Sequence, residues 1–378
     1  MDHKFILRYC KKCLVPNSRP GVIIDEDGIS NVWKTGTDEK NSIDWDEREK
    51  SFRTIINFTK ENSKGYDCLV PVSGGKDSTW QIIKCLEYGL NPLAVTWKTP
   101  ARSAIGQQNL DNLVKLGVDH IDYQINPEVE KKFMYRSLVK YGTTALPMHM
   151  ALFNIPLKIA VKFSIPLVIW GENSAFEYGT ADEELKGFKL DSKWLKQYGV
   201  THGTTAEDWI ADDLTRKELT PYFGPTDKEL DKAGVRAVFL GHYFRWDTET
   251  SLKAALAHGF KVREEGPKTG YYNYADIDDD FIAIHHFIKW YKFGFTRLFD
   301  NLSIEIRNNR LTYEEALEII RKTGIQEPVE DIEKLCRFLS IPLEEFYRII
   351  ETFRNTDIWK KENGKWVIKE FPIKDWNW

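Results

Sequence analysis

The chain has 378 residues, a formal net charge of −4, 42% hydrophobic residues and 29% charged residues. That length suits two domains or one large domain with attachments, and the composition is that of a soluble globular protein. The mildly acidic balance argues against bulk nucleic-acid binding and no apolar run approaches membrane-spanning length. Five cysteines, an odd number, and a first stretch without a secretory leader point to a reducing, cytoplasmic setting.

Residues 1 to about 45 read as irregular, with Pro16, Pro20, Gly21, Gly28 and Gly36. Asp44 is placed to cap a helix from Trp45 to about Asn62. A strand over 66–72 and a helix over 78–88 follow, with Gly89 as the helix stop. A second strand covers 91–97, and a helix over 104–116 ends at Gly117. A strand over 118–125, helical stretches at 128–140 and 149–163, and a buried strand over 165–170 complete the alternation. Alternating strands and helices predict an α/β fold with a parallel sheet covered on both faces. Residues 174–235 read as loop-rich, with short helices near 206–218 and 226–232 and a last strand at 235–241. Asp247 caps a helix to His258, and 277–300 reads as one helix. Thr312 with Glu315 forms a capping box, Gly324 stops that helix, and Pro328 and Pro342 each open another. The expected organisation is an N-terminal segment with a linker helix (1–60), a nucleotide domain (61–260) and a C-terminal helical region (261–378).

The most informative stretch is Val72-Ser73-Gly74-Gly75-Lys76-Asp77-Ser78, between the first strand and its helix. Paired glycines allow a sharp turn and close approach to a ligand, and the helix start points free N–H groups into that turn. Two hydroxyls and a lysine make the turn suitable for phosphate. It is not the commoner phosphate loop, which would need a glycine where Val70 stands. Thr96–Thr99 and Gly171–Asn173 also follow predicted strands. All three segments therefore converge on one crevice at the carboxyl edge of the sheet.

SGGKDS resembles the PP-loop of the ATP pyrophosphatases, which fold as Rossmann-like adenine nucleotide α-hydrolases. The likeness extends further. Cys10-x-x-Cys13 with Pro16, Arg19-Pro20 and Asp25-x-x-Gly28 resembles the opening of the bacterial N-acetyl sugar amidotransferases. So do Trp170-Gly171-Glu172-Asn173 with Glu177-Tyr178-Gly179, and Leu240-Gly241-His242-Tyr243 with Trp246-Asp247. That resemblance implies an enzyme of surface-glycan biosynthesis, for lipopolysaccharide O-antigen or nonulosonic acids. The acetamido oxygen of a sugar would attack the α-phosphorus of ATP and expel pyrophosphate. Ammonia would then displace AMP, leaving an acetamidino group.

By the same resemblance, the backbone of Ser73, Gly74, Gly75 and Ser78 would hold the pyrophosphate portion, and Lys76 would neutralise it. Asp77 would orient the loop or the Mg²⁺ that bridges the phosphates. Thr96 and Trp97 are placed for adenine or ribose, beside Gly171; Trp97 serves equally well as core. Asn173 is a candidate for a phosphate or the acetamido group. Glu172 is a candidate for the metal, for proton acceptance from ammonium, or for a salt bridge, and Glu177 for the same proton. His149, Tyr178 and His242 are candidates for the sugar, with a structural role the alternative for each histidine. Arg245 and Lys253 suit a substrate anion or plain solvation.

Zinc is not expected: Cys10 and Cys13 form one pair, but Ser30 and Trp33 stand where the family carries the second. No glutaminase signature is visible. The resemblance therefore implies separate partners like the glutaminase and cyclase of histidine biosynthesis, with neither nucleic acid nor membrane as a partner and a homo-oligomer open. The rival readings are a tRNA sulfur-transferase, an amide synthetase of the GMP or NAD type, and a nucleotide-binding module without turnover.

Overall fold

A computed structural model describes residues 5–180, 182–198 and 200–378. Its centre is a five-stranded parallel sheet in the order β3-β2-β1-β4-β5. The strands are β1 (Cys68–Pro71), β2 (Pro92–Trp97), β3 (Asp119–Tyr123), β4 (Leu167–Trp170) and β5 (Arg236–Phe239). β1 and β4 are buried along their whole length, as expected for parallel strands covered on both faces. The α/β class read from the sequence is thus the observed one.

One face of the sheet is covered by α1 (Trp45–Asn62), α2 (Lys76–Glu87) and α3 (Ala104–Val114), through a core including Phe52, Trp80, Ile82 and Leu110. The other face is covered by α4 (Pro127–Tyr141) and α5 (Ala145–Phe163), with Phe133, Met150 and Leu157 inside. Asp44 caps α1 by accepting from the Glu47 N–H, as its sequence position predicts. Strands are added on one side of β1 up to β3 and on its other side from β4 onward, so the loops after β1 and β4 open a crevice at the switch in strand order.

Several expectations need correction. Residues 31–42 are helical, not irregular: Ser30 caps Asn31–Lys34, and the run passes through a π-turn at Thr35–Glu39. The segment after β4 holds two further helices, α6 (Ser174–Tyr178) and α7 (Ser192–Tyr198), before α8 (Asp227–Ala233). The helix after β5 is α9 (Thr248–Ala257), capped by Asp247. The single helix expected over 277–300 is two, α10 (Asp280–Phe293) and α11 (Arg297–Arg307), because Gly294 takes a left-handed conformation (φ +71°). The capping box of α12 (Tyr313–Thr323) is present. Pro328 and Pro342 stand as the caps of α13 (Val329–Leu339) and α14 (Leu343–Glu351), one position earlier than expected. The C-terminal region is not wholly helical, since β6 (Trp359–Glu362) and β7 (Lys365–Ile368) form an antiparallel hairpin. Among the described residues, no helix is long and apolar enough to cross a membrane.

Candidate active site

The turn after β1 is held by its own polar atoms. Ser73 Oγ accepts from the Gly75 N–H at 3.2 Å, and Ser78 Oγ donates to the Gly75 carbonyl at 3.0 Å. Gly75 is the cap residue of α2, and no side chain caps the first-turn N–H groups. Those donors are open to a ligand. Gly74 has φ +90°, and a Cβ there would stand 2.7 Å from the Leu110 backbone nitrogen, so only glycine fits. Lys76 is buried. Its ammonium donates to Asp77 Oδ1 at 2.6 Å and to Ser251 Oγ of α9 at 3.2 Å.

Two chambers meet at this turn. The larger, about 430 Å³, is walled by Thr96, Trp97, His149, Phe153, Trp170 and Trp194. The smaller, about 210 Å³, is walled by Lys40, Glu177, Tyr178, Tyr272, Arg297 and Asn301. Both share Ser73, Asp77, Ser78, Glu172, Asp276 and Asp278 at their junction. In the larger chamber Gln81 Oε1 and Trp170 Nε1–H are buried without a hydrogen-bond partner, an acceptor and a donor that a bound ligand would satisfy.

The carboxylates are tuned by their surroundings. Burial first, and the Asp77 charge second, push Glu172 up to about 7. Asp279 is pushed up to about 7, again chiefly by burial. Asp278 is raised by burial, which outweighs a hydrogen bond from Ser73. Burial acts against ionisation at Asp276 too, but Arg297 and His286 hold it far below the usual carboxylate range.

Of the residues singled out from the sequence, Ser73, Gly75, Lys76, Asp77, Ser78, Thr96, Trp97, Gly171, Glu172, Glu177, Tyr178 and His149 all line these chambers. Gly74 shapes the turn behind them. Thr96 is tied to His120 Nε2 at 2.9 Å, and Trp97 donates to Glu130 at 2.8 Å. Glu177 pairs with the buried Lys40 at 3.0 Å, and the Arg19 guanidinium lies 4.9 Å from the Tyr178 ring centre. His149 is not on a loop: α5 begins at Ala145, so His149 faces the crevice from a helix, with Nδ1 2.7 Å from the Ala145 carbonyl.

Two candidates stand elsewhere. Asn173 is buried and fully employed: it donates to the Leu185 and Gly187 carbonyls and accepts from the Ala175 N–H and Trp194 Nε1–H. It braces the loop instead of facing a ligand. His242 lies outside both chambers, accepts from Arg48 at 2.8 Å through Nδ1, and is pushed down to about 4 by burial and then by Arg48. The neighbouring Gly241 explains that motif better, since its N–H donates to the Gly171 carbonyl and fixes the loop carrying Glu172. Arg245 is occupied with Asn41, and Lys253 is exposed.

The sequence reading missed half of the crevice. Residues 271–281, placed in the C-terminal helical region, run along its mouth and contribute Tyr272, Tyr274, Asp276, Asp278 and Asp279. This strap is seated on the start of α3: Ser103 N–H donates to the Asp278 carbonyl at 3.2 Å, and Asp280 N–H to Ala101 at 3.0 Å. Gly106 makes the seat possible, because a Cβ there would lie 2.6 Å from Asp278 Cα. A glycine inside a helical pattern was the available signal. Lys40 was also missed, hidden in the segment read as irregular.

Cys10, Cys13 and Ser30 form one buried cluster, with Ser30 N–H donating to Cys10 Sγ at 3.2 Å and Ser30 Oγ 3.4 Å from Cys13 Sγ. Ser30 thus stands beside the two thiols, where a third zinc ligand would be sought, and also caps the following helical turn. Among the described residues, no three His, Cys, Asp or Glu side chains are grouped to hold a metal ion.

The fold and crevice define an α/β protein with a glycine turn and open helix N–H groups at the switch in strand order. Residues 268–371, which include the whole strap, match the family described as LPS biosynthesis protein WbpG-like, C-terminal domain. No curated protein matches the chain significantly. Among solved structures, the chain is similar to an NMN synthetase from Francisella tularensis (TM-score 0.32, 13% identity, 71% of this chain and 94% of that one). It is also similar to a predicted subunit of tRNA methyltransferase from Methanocaldococcus jannaschii (TM-score 0.26, 15% identity, 50% and 73%). At these scores neither likeness bears on the chemistry.

Proposed function

We propose that the crevice adenylates the acetamido oxygen of a sugar with ATP and exchanges it for ammonia. The products are an acetamidino sugar, AMP and pyrophosphate, and the pathway is surface-glycan assembly. The observation that carries this reading is the meeting of two chambers at the Ser73–Ser78 turn. One chamber is aromatic, has unpartnered polar atoms and suits a nucleoside. The other is polar and suits an acceptor. An α-phosphorus held at the junction would face both.

Each residue has a task in this scheme. The open N–H groups at the start of α2 bind the departing pyrophosphate and Lys76 offsets its charge, the fixed-dipole stabilisation that phosphoryl transfer requires. Glu172, with its carboxyl near neutrality, accepts a proton as ammonia attacks. Mg²⁺ fits the donor set: Asp77 and Glu172 offer hard oxygens at the junction, and the ion commonly takes one or two carboxylates with phosphate oxygens completing its shell. Its contribution when bound is neutralisation of phosphate charge. The sugar is a UDP-linked diacetamido sugar or a nonulosonic acid, and ammonia comes from separate glutaminase and cyclase-like subunits.

The test is turnover with ATP, Mg²⁺, ammonium and a panel of diacetamido sugars, read by mass spectrometry and phosphorus NMR. A sugar lighter by about one mass unit (oxygen replaced by NH), formed with AMP and pyrophosphate, is the expected result. AMP and pyrophosphate with every sugar unchanged would reassign the acceptor. Intact ATP under saturating ammonium and sugar would sink the enzyme reading.

A further inference from the structure

Beside the larger chamber lies a third cavity, of about 340 Å³, that the reaction above does not use. Tyr198 and Val200 line both spaces and so form a wall common to them. Across it, the rings of His149 and His285 are 6.3 Å apart.

The lining of this cavity is one-signed. Arg19, Lys196, Lys289 and Lys292 face it, and among the described residues no Asp or Glu does. Their counter-charges are few. Arg19 and Lys289 share the single carboxylate of Asp300, and Arg297 behind them is matched by Asp276. Lys292 donates to the Tyr141 carbonyl at 2.7 Å, and among the described residues no carboxylate pairs with it or with Lys196. Burial pushes both Lys289 and Lys292 down to about 8. Partly desolvated cations in excess of carboxylates are costly unless an anion joins them. The floor is aromatic, with Phe293 and Phe295, and the rim is strained: Val200 and His202 hold φ of +56° and +53°. His202 stacks on Tyr141 at 4.6 Å.

We infer that this cavity, set beside the larger chamber and apart from the one assigned to the acceptor, is a separate site for an anionic ligand bearing a phosphoryl group or a carboxylate. The inference depends on the proposed function only for the identity of the bound molecule; the anion site stands on the cavity and its charge. Two sources share this chemistry: the diphosphate of a nucleotide sugar and the carboxylate of an acidic sugar.

The experiment is calorimetric titration of the full chain at fixed ionic strength with UDP, with N-acetylneuraminate and with ATP. It uses wild type, Lys292→Met, Lys196→Glu and Lys76→Met. UDP or N-acetylneuraminate should bind, and which one binds identifies the source. That binding should weaken at least about tenfold in Lys292→Met and Lys196→Glu, as expected for loss of a charge-assisted hydrogen bond or a charge reversal, and hold in Lys76→Met. Lys196 is exposed, so its variant keeps the test valid should Lys292→Met fold poorly. Binding lost in Lys76→Met and kept in the other two would put the anion in the crevice and overturn the inference. So would failure of both probes to bind at millimolar concentration. If ATP alone fails to bind, the proposed function falls and the anion site stands.

Discussion

The crevice has two walls made in opposite ways. The turn after β1 gives backbone N–H groups, hydroxyls and one lysine, all within Ser73–Ser78. The strap over 271–281 gives carboxylates and tyrosines, from a point nearly two hundred residues further on. The first wall is local and needs only a strand, two glycines and a helix start. The second is made by tertiary contact, through Ser103, Gly106 and the Asp279 cap of α10. A site divided this way is complete only when the C-terminal region is docked on the sheet domain. That region is therefore part of the crevice and not an attachment to it.

The sharpest test of the first wall is Lys76→Met. If a fixed cation at the turn dominates catalysis, adenylation measured as ATP–pyrophosphate exchange falls by about two orders of magnitude or more. A rate within a few-fold of wild type would remove Lys76 from the mechanism and leave the strap as the more important wall.

The second wall is broken without touching any pocket group by Gly106→Ala. The new methyl would meet Asp278 Cα at 2.6 Å, backbone that has no side-chain freedom to yield. The strap should lift, at a cost of about 1–3 kcal/mol in urea unfolding, and hydrogen exchange over 271–281 should quicken. If exchange there is unchanged, the strap is not seated by Gly106.

This contrast also explains what the sequence could disclose. The sheet was readable because β1 and β4 are unbroken apolar runs and because caps such as Asp44, Thr312 and Gly324 mark helix ends by local hydrogen bonds. The turn was readable because its function needs contiguous residues. Nothing local shows that Asp278 faces Ser73, that Lys40 reaches Glu177, or that Asn173 has spent its donors on Leu185 and Gly187. Each depends on loops that meet only after folding. His242 misled for the same reason, since its motif serves through the Gly241 N–H and not through the imidazole.

Where the walls meet, Glu172 reports the balance of charge. Its carboxyl sits at about 7 in the fold against an ordinary 4.5, so the folded chain holds the extra proton between those values. A group raised in the fold costs stability as pH climbs, so wild type should lose stability through that window. Glu172→Gln cannot ionise. Its stability relative to wild type should rise from about pH 4.5 to about pH 7, by on the order of 3 kcal/mol. Urea melts at the two ends check the sign; a flat difference would mean that burial and Asp77 do not act on Glu172 as its position requires.

The smallest expected effect separates bracing from binding on the loop between them. Asn173→Ala would leave the Leu185 and Gly187 carbonyls without their donor and the Trp194 indole N–H without its acceptor. Buried groups stranded in this way, with loss of the Asn173 cap on α6, should cost about 1 kcal/mol or somewhat more. ATP affinity should change little, because no atom of that side chain faces either chamber. Calorimetric ATP binding beside a urea melt distinguishes the two roles. A large affinity loss with unchanged stability would return Asn173 to the ligand. A loss of stability with ATP still bound would show that the loop after β4 presents Glu172 and withholds its neighbour, so that adjacent polar residues on one turn are divided between chemistry and support.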